Sequence, residues 1–421
     1  MMAKNCLAAA GLFNPKQKII AAGIIGNIIE YYDFALIGFL AVMMGHLFFP
    51  SSNPFLSLMG SFGAFAAGMI MRPIGAAIFG HIGDRVGRRF ALITSLVLMA
   101  LPTFLIGFLP TYAQIGIMAP ILLVLLRMIQ GLSVGGEYAS SIVYLVEQSS
   151  PGRQNLYGSF VSVGAKIGMA LGSGLCGVLV WYLGEDAMGE WGWRIPFILS
   201  IFIALAGIYL RRDLVDDYEP KEDKTIPLVA IFRHHRKAFG QFLIVASIVW
   251  MFYYTLFIYL PIWLQGSAGF TKIQAGQINT FSIVIGVIFI PLMAMLADKI
   301  GSIRVMKLAA LLSAVSIFPL LYAMIHTGFT GALIATSAMV VLLCAFQAPI
   351  FAATVHGIDH HGFRASFTAL ILGSAAGIVG GITPALMTSL VEFSHDAYSP
   401  AYLIGIFSLI AWGVLARIKT S

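Results

Sequence analysis

Long apolar stretches, separated by short polar segments, make up nearly the whole chain. A helix needs about 20 apolar residues to cross the hydrocarbon core of a bilayer. Twelve stretches satisfy this length and predict twelve transmembrane helices, over residues 18–47, 56–82, 90–110, 115–147, 154–183, 192–211, 239–265, 273–297, 304–326, 330–354, 364–391 and 397–417. The first stretch contains Glu30 and Asp33 and precedes no cleavage site, so a retained helix is expected.

The composition excludes most other classes of protein. Hydrophobic residues make up 59% of the chain and charged residues only 10%, whereas an average soluble domain has roughly 25% charged residues. Soluble, fibrous, disordered and nucleic-acid-binding proteins are therefore poor fits. We expect the lipid bilayer to be the surroundings of the chain, and we expect no nucleic-acid partner.

The basic residues predict the orientation. Most of the 25 Lys and Arg residues lie in alternate connecting segments and near both termini. Arg211 and Arg212 belong to this group. Because cytoplasmic segments of membrane proteins are enriched in Lys and Arg, both termini are predicted to be cytoplasmic. The cytoplasmic basic residues then explain the net charge of +7 without a nucleic-acid partner. A multi-pass protein of the cytoplasmic (inner) membrane is expected.

The longest polar segment follows the sixth predicted span and divides the chain. The predicted parts are a six-helix bundle at residues 1–213, a cytoplasmic linker at 214–238 and a second six-helix bundle at 239–421. The linker mixes acidic and basic groups, which is typical of a solvated loop near the membrane surface. A regulatory or partner-binding loop is the alternative.

The two halves resemble a duplication. Asp84 and Asp298 are 214 positions apart, and so are Gly87 and Gly301. Each of these residues lies just after the second span of its own half. Glycines spaced four apart also recur, at Gly164, Gly168 and Gly172 in span five and at Gly373, Gly377 and Gly381 in span eleven. The prediction is an all-α membrane protein of two pseudo-symmetric six-helix bundles, an arrangement found in secondary transporters.

Six charged residues fall near the middle of predicted spans in the first half. They are Glu30, Asp33, Arg72, Arg127, Glu137 and Lys166. Charges facing lipid are costly, so these side chains are expected to face a polar cavity or one another. Their formal sum is zero. The alternative is a set of buried ion pairs that only fix helix register, an interpretation that is strongest for Glu137.

Uncharged polar and aromatic residues complete the predicted cavity. Asn27, Tyr31, Gln130 and Tyr138 lie at helical spacing from the midplane charges. The interiors of the last six spans have no charge and offer Tyr253, Tyr254 and Gln347, together with Trp250, Tyr259, Gln277 and Asn279. We expect the first half to hold the proton and the charged part of a substrate, and the second half to supply aromatic and amide contacts. Core packing is the alternative for the aromatic residues.

No motif for catalysis or nucleotide binding is present. The chain lacks G-x-S-x-G, H-E-x-x-H and a phosphate-binding loop, so neither an enzyme nor an ATP-driven pump is expected. His356, His360 and His361 lie beside Asp359 but give only a weak indication of a metal site. We predict no metal and no cofactor, with a proton gradient as the source of energy.

The segment Gly80–Arg89 resembles the loop motif G-x-L-A-D-R-x-G-R-R/K of the major facilitator superfamily, and Ala297–Arg304 resembles a degenerate copy. Four further segments resemble those of the metabolite:proton symporters within that superfamily. They are Gly26–Phe34, Arg72–Gly75, Arg127–Tyr138 and Trp193–Phe197. Tyr31 stands where the family usually has Trp, and the last six spans match weakly.

The resemblance implies alternating access between two six-helix bundles, driven by co-transported protons. Substrates of the family include citrate, 2-oxoglutarate, shikimate, proline and betaine. The resemblance also predicts a gate that closes the cytoplasmic side of the outward-facing state. Its predicted members are Gly80, Asp84, Arg85, Gly87, Arg88, Arg89 and Asp298.

We therefore predict a proton-coupled symporter of a small polar solute that functions as a monomer. Arg72, Arg127 and Lys166 are expected to bind a substrate carboxylate, since arginine suits bidentate binding. Glu30 and Asp33 are the protonation candidates, with Glu137 beside them. Three cations favour an organic anion such as a di- or tricarboxylate. The alternatives are a zwitterion of the proline or betaine type, export of a siderophore or drug, and, more distantly, a membrane enzyme or receptor.

Overall fold

The computed structural model describes residues 15–212, 227–358 and 361–418. These residues are predominantly helical and form no strand. Twelve of their helices are long and apolar enough to cross a membrane, which confirms the predicted number. We label them α1 (Gln17–Phe48), α2 (Pro54–Arg85), α3 (Arg88–Ile106), α4 (Met118–Glu147), α5 (Gln154–Gly192), α6 (Arg194–Arg211), α7 (Arg236–Gly266), α8 (Ile273–Ile300), α9 (Ser302–His326), α10 (Gly328–Val355), α11 (Arg364–Ser394) and α12 (Ser399–Ala416).

Most of the predicted linker lies outside the described residues, as do Asp359 and His360. The described part of the linker contains a short helix, Pro227–His234. One side of this helix is buried through Pro227, Ala230 and Ile231, so it packs against the bundle. The assignment of domain boundaries at 213 and 238 stays a prediction.

Local sequence explains where the helices begin and end. Asn53 caps α2 by accepting a hydrogen bond from the Phe55 amide at 2.9 Å, and Thr271 and Gln274 form a capping box at the start of the eighth span. Gly87 and Gly301 separate consecutive helices with φ of 130° and 97°. L-residues with a side chain rarely adopt such angles, which explains a glycine at each corner.

The third, fourth and fifth spans differ from their predicted limits, and α5 continues to Gly192, beyond its predicted end at 183. α3 ends at Ile106 and α4 begins at Met118, with a four-residue helix, Tyr112–Ile115, between them. The apolar pattern continues through this connection, so hydropathy alone merges it with the spans. The chain turns there because Gly116 has a φ of 59°.

Small residues allow the helices of the first half to approach closely. A Cβ atom at Gly131 of α4 would lie 1.9 Å from the Gly68 carbonyl oxygen of α2, and one at Gly135 would lie 2.0 Å from the Arg72 carbonyl oxygen. The stripe Gly164, Gly168 and Gly172 packs α5 against α1 in the same way. Close packing through glycine is how membrane helices associate without a hydrophobic driving force.

The glycine stripe of α11 has a different neighbour. Gly373 and Gly377 face Ala76 and the Met69 carbonyl of α2, in the other half. The repeat in sequence therefore places one stripe inside a half and the other between halves.

The two halves meet through pairs of helices that the repeat relates. α2 of the first half packs against α11, and α8 of the second half packs against α5. Many large apolar side chains instead point outward, including Ile70 at 71% exposure and Val315 at 70%. The six charged residues near the middle of the spans are all buried inside the protein, as expected where the surroundings are lipid.

Candidate functional site

Two buried ion pairs join α1 to its neighbours near the middle of the first half. Asp33 Oδ2 accepts a hydrogen bond from Arg127 Nη1 at 2.6 Å, and Glu30 Oε1 lies 3.4 Å from Arg72 Nη2. All four residues are at most 5% exposed. The structure thus brings these predicted site residues together and pairs each arginine with a carboxylate.

Asp33 is held by several donors. In addition to Arg127, its Oδ1 atom accepts from Gln130 Nε2 at 3.1 Å and from Thr103 Oγ1 at 3.4 Å. Gln130 is fixed in turn, since Nε2 also donates to Thr103 at 2.7 Å and Oε1 accepts from Arg127 at 2.9 Å. Such a network stabilises the ionised form of the carboxyl group.

Glu30 has much weaker support. Its Oε2 atom is buried without a hydrogen-bond partner among the described residues, and Arg72 Nε and Asn27 Oδ1 share this property. Asn27 only donates to its own helix, at 3.4 Å from the Gly23 carbonyl oxygen. Unsatisfied buried polar atoms cost free energy, so this group is the strained part of the site.

Glu137 has a separate partner that sequence reasoning missed. Its carboxylate forms an ion pair at 2.5 Å with Arg211 of α6 and accepts hydrogen bonds from Ser95 and Ser141. The sequence pattern groups Arg211 with the basic residues of the loop, whereas the structure buries its side chain completely. The available signal in the sequence was its position, because Arg211 is the last residue of an apolar span.

Including Arg211 changes the charge balance. Apart from Asp84, which lies at the end of α2 and pairs with Arg88, the buried charges of the first half now contain four cations and three carboxylates, in place of the balanced six. The three carboxylates pair with Arg72, Arg127 and Arg211. Lys166 therefore remains as an excess positive charge, with no carboxylate of the described residues within salt-bridge distance.

Lys166 points at the second half of the molecule. Its Nζ atom lies 5.6 Å from the centre of the Phe257 ring of α7. A Cβ atom at Gly286 of α8 would lie 2.8 Å from Lys166 Cε. The side chain is 7% exposed, so a buried ammonium group lies between the halves.

An aromatic cluster extends from Phe257 toward the carboxylates. Ring centres are 4.9 Å apart for Phe257 and Tyr253, 5.3 Å for Tyr253 and Trp250, and 5.9 Å for Trp250 and Tyr138. Tyr254 lies 5.8 Å from Tyr253. The structure thus places Tyr138 of the first half with the predicted α7 tyrosines, and it adds Trp250 and Phe257.

The remaining predicted contacts lie around these groups. Tyr31 is buried and packs edge-to-face on Phe34 at 5.4 Å, and Phe34 also lies 5.9 Å from the Arg72 guanidinium. Gln347 is buried on α10. No hydrogen bond joins Gln347 to another described residue.

Little space remains at this level. The cavity between Asp33, Arg72 and Arg127 has a volume of about 20 Å³, which is room for about one water molecule. A substrate can enter only when the helices around the ion pairs move apart.

Asp84 joins the halves at the face where both described termini lie, which we call the basic face. Its carboxylate accepts hydrogen bonds from the Ala365 and Ser366 amides at the start of α11, at 3.0 and 2.8 Å. Arg88 donates to the same carboxylate at 2.9 Å and to Glu147 at 3.1 Å. The start of a helix favours an anion, so Asp84 fixes α2 to α11.

Asp298 makes the equivalent contact in the opposite direction. Its carboxylate accepts from the Asn155 and Leu156 amides at the start of α5, at 2.8 and 3.0 Å, and from Asn155 Nδ2 at 2.9 Å. Ser302 donates to Asn155 Oδ1 at 2.9 Å. We call these two contacts the Asp84 lock and the Asp298 lock.

The other predicted gate residues lie next to the Asp84 lock. A Cβ atom at Gly80 would lie 2.6 Å from Ser366 Cα across the interface. Gly87 forms the corner before α3, Arg85 ends α2, and Arg89 donates to the Arg212 carbonyl oxygen. The two locks join the halves of the molecule at this face.

The described residues contain no group of three or more His, Cys, Asp or Glu side chains that could hold a metal ion. His360 and the side chain of His361 lie outside the described part of the chain.

Comparison with known proteins agrees with this architecture. A sequence profile of the major facilitator superfamily matches residues 23–381. Among solved structures, the proton:xylose symporter XylE bound to 6-bromo-6-deoxy-D-glucose superimposes with a TM-score of 0.76, covers 95% of each chain and is 18% identical. A bacterial homologue of the iron transporter ferroportin gives a TM-score of 0.68 at 14% identity, over 95% of this chain and 98% of that one. At such identities the likeness concerns the fold.

Sequence relatives are closer. The chain is 31% identical to the proline/betaine transporter of Salmonella typhimurium, over 94% of this chain and 81% of the relative. It is 32% identical to the glycine betaine/proline/ectoine/pipecolic acid transporter OusA of Dickeya dadantii, with the same coverage. The chain therefore belongs to the major facilitator superfamily, in the branch that includes these proline/betaine transporters.

Proposed function

We propose that this secondary transporter takes up a small zwitterion of the proline or betaine type together with protons. The observation that carries the proposal is the charge balance of the central site. Each buried arginine already has a carboxylate partner, and Lys166 is the buried cation left to meet an added negative charge. The names of the relatives support the same class of substrate.

The charge balance argues against a di- or tricarboxylate, the class that the sequence pattern favours. Such a substrate needs two or three uncompensated cations, and breaking a buried ion pair to release one costs about 3–5 kcal/mol. One lysine matches the single carboxylate of a zwitterion. Arg72 and Arg127 then hold the shape of the site through their own acids.

The aromatic cluster matches the other end of a zwitterion. Tyr138, Trp250, Tyr253 and Phe257 form a continuous series of ring contacts that ends at Lys166. Aromatic faces attract cations, with about 0.5–2 kcal/mol per favourable contact. A substrate carboxylate at Lys166 would therefore place its ammonium group against these rings.

Glu30 is the preferred carrier of the coupled proton. Its carboxylate has one contact, at 3.4 Å, and one oxygen without a partner, whereas three side chains donate to Asp33. Neutralising Glu30 removes less stabilisation than neutralising Asp33. Asp33 is thus better suited to remain charged and to hold Arg127.

Transport then follows from opening and closing the two locks. The proposed orientation puts the basic face in the cytoplasm of a bacterial cell, with the protein in the inner membrane as a monomer. The locks close that face here, and their release would expose the site to the cytoplasm. In each lock, an aspartate of one half accepts hydrogen bonds from the start of a helix in the other half. A single rigid-body motion of the halves can therefore break both locks.

The test is uptake by purified protein in liposomes with an alkaline interior. We expect accumulation of proline or glycine betaine that stops when a protonophore removes the pH gradient. Lys166→Met should raise the KM at least about tenfold, because the loss of one charge-assisted hydrogen bond weakens binding by about 1.5 kcal/mol or more. Lys307→Met, which changes a lysine of α9 outside the site, should leave uptake unchanged.

Three results would overturn the proposal. Gradient-driven accumulation of citrate without uptake of zwitterions would favour the organic-anion alternative. Accumulation that occurs only with the opposite gradient would favour export. Unchanged affinity in Lys166→Met would remove the assigned role of that lysine.

A further inference from the structure

A second and much larger cavity opens on the basic face, below the second half. Its volume is about 950 Å³, compared with about 20 Å³ at the central site. The ends of α8 and α10, the starts of α5 and α7, and the last described residues of the chain surround it. We call this cavity the basic vestibule.

Four permanent cations line the basic vestibule. They are Lys237, Lys299, Arg304 and Arg417, and all four are exposed. None of the four forms an ion pair with a described carboxylate. Three histidines lie among them, at His234, His235 and His356, and can add positive charge when protonated.

The carboxylate in the lining of the vestibule is already held by hydrogen bonds. Asp298 is the only acid among the described lining residues, and its oxygens accept three hydrogen bonds from Asn155 and Leu156 of α5. Among the described lining residues, an entering anion therefore meets four permanent cations and one carboxylate. Concave surfaces of one sign concentrate ligands of the opposite sign.

We infer that the basic vestibule binds a phosphate-bearing anion, either a soluble phosphate compound or the headgroup of an anionic lipid. Arginine and lysine on separate helices suit the several oxygens of a phosphate group. Basic pockets between helices on the cytoplasmic side of membrane proteins bind such headgroups. The volume falls in the range of small-molecule sites, about 300–1,000 Å³.

Binding there would act on the Asp298 lock. Gln154 and Asn155 of the first half form one wall of the vestibule, whereas the four cations belong to the second half. A ligand that contacts both walls binds the closed arrangement better than the open one. By linkage it stabilises the closed basic face, and it should slow transport.

The binding test uses pyrophosphate and the purified full chain in a neutral detergent at low ionic strength. A saturable rise in the unfolding temperature is expected, because a ligand stabilises the state to which it binds. The double variant Lys237→Gln/Arg304→Gln should weaken apparent binding at least about tenfold, since each charge-assisted hydrogen bond contributes about 1.5–3 kcal/mol.

The matched control is Arg233→Gln/Arg236→Gln. It removes two exposed cations from the same segment that do not line the vestibule, and it should bind pyrophosphate as the unchanged protein does. Equal loss of binding in both double variants would reduce the effect to surface charge and overturn the proposal.

A second arm identifies the source of the phosphate. Lipid nanodiscs with and without phosphatidylglycerol replace the detergent, and unfolding is measured for the same variants. Stabilisation by phosphatidylglycerol but not by pyrophosphate, lost only in Lys237→Gln/Arg304→Gln, assigns the site to a lipid headgroup. The reverse assigns it to a soluble compound, and the absence of a saturable effect in both arms overturns the site.

Transport gives an independent measurement of the consequence. Pyrophosphate, or the lipid if that arm is positive, should slow substrate exchange in liposomes, and Lys237→Gln/Arg304→Gln should relieve the inhibition. Binding without slower exchange would overturn the link to the Asp298 lock. The binding arms do not depend on the proposed substrate, so failure of one proposal is distinguishable from failure of the other.

Discussion

Glu30 and Asp33 lie about one turn apart on α1, but their surroundings differ in the number of hydrogen-bond donors. Asp33 receives three side-chain donors, with Arg127 at 2.6 Å. Glu30 has only Arg72, at 3.4 Å. The sequence does not distinguish the two acids, whereas the difference in donors supports the proposal that Asp33 stays charged and that Glu30 carries the proton.

Two substitutions separate these roles. Glu30→Gln should abolish accumulation driven by a pH gradient and keep substrate exchange between equal compartments, because exchange needs no net proton movement. Asp33→Asn should impair both, since it leaves Arg127 buried without its anion, at a cost of about 3–5 kcal/mol. Liposomes assayed for both activities provide the measurement.

Glu392→Gln is the control for this pair. Glu392 is exposed on α11, and its neutralisation should change neither activity. Full gradient-driven accumulation by Glu30→Gln would contradict the assignment of the proton to Glu30.

At the scale of helices, the first half depends on close approach at glycines. The Cβ positions of Gly131 and Gly135 overlap the backbone of α2 at 1.9 and 2.0 Å. Backbone atoms cannot move aside as a flexible side chain can. α2 and α4 carry Arg72 and Arg127, so this contact also sets the distance between the two buried ion pairs.

Adding one methyl group tests the contact. Gly131→Ala should lower the free energy of unfolding by about 1–3 kcal/mol or more, the usual cost of overpacking. The control is Gly63→Ala on α2. No atom lies within 4 Å of its new Cβ, so this variant should be neutral within about 0.5 kcal/mol. Thermal unfolding in detergent compares the two, and equal stability would refute the close contact.

Arg211 connects four helices of the same half. It donates to the Ala22 carbonyl oxygen of α1 at 2.9 Å and to the Leu92 carbonyl oxygen of α3, and it pairs with Glu137 of α4. Gly26 leaves the space for this group, since a Cβ atom there would lie 1.9 Å from Glu137 Oε1. These contacts favour a structural role for Glu137, and its predicted part in proton coupling stays a prediction.

A double-mutant cycle decides between these roles. Glu137→Gln should destabilise the protein by about 3–5 kcal/mol, because Arg211 then lacks its counter-charge. Glu137→Gln/Arg211→Met should recover part of this loss, since no buried charge remains unpaired. Unchanged unfolding temperature with lost proton coupling in Glu137→Gln would instead assign Glu137 to the proton path.

For the whole molecule, the two locks decide which face is closed. Asp84 holds the start of α11 and Asp298 holds the start of α5, so each half contributes one aspartate and one helix end. The equal spacing of the two aspartates in the sequence is thus expressed as a pseudo-symmetric pair of contacts. Opening this face has to break both contacts.

Removing the charges should open the basic face. Asp84→Asn and Asp298→Asn each weaken hydrogen bonds worth about 0.5–1.5 kcal/mol, and the double variant should show the larger effect. Ala352 is buried beside Gly158 of the other half, so a cysteine at this position reports opening. In a background without native cysteines, maleimide should label Ala352→Cys about 2–10 times faster in each single variant.

Asp396→Asn controls for charge loss away from the locks. Asp396 makes local contacts between α11 and α12, where it accepts from the Tyr398 amide at 2.8 Å. Faster labelling in this variant, or unchanged labelling in the double lock variant, would contradict the role of the locks.

Much of the fold was readable from the sequence. Backbone polar groups surrounded by lipid need hydrogen-bond partners within the protein, and a helix supplies them. The long apolar stretches therefore predicted all twelve spans, as the structure confirms. The motifs from Gly26 to Phe197 predicted the superfamily, which the comparisons confirm. The limits of α3 and α4 were less accurate, because hydropathy does not detect a turn made inside an apolar stretch. The end of α5 was also wrong, since the helix continues to Gly192.

The sequence by itself placed six charged residues within the predicted spans, because a charge in the middle of an apolar stretch has no other place, but it did not identify Arg211 as a seventh. Only the tertiary structure decided which partner each one has, since pairing depends on helices far apart in the chain. That step joined Glu137 to Arg211 across 74 residues and gave Asp33 more donors than Glu30. It also left Lys166 as the unmatched charge, because only packing shows which cations already have a carboxylate.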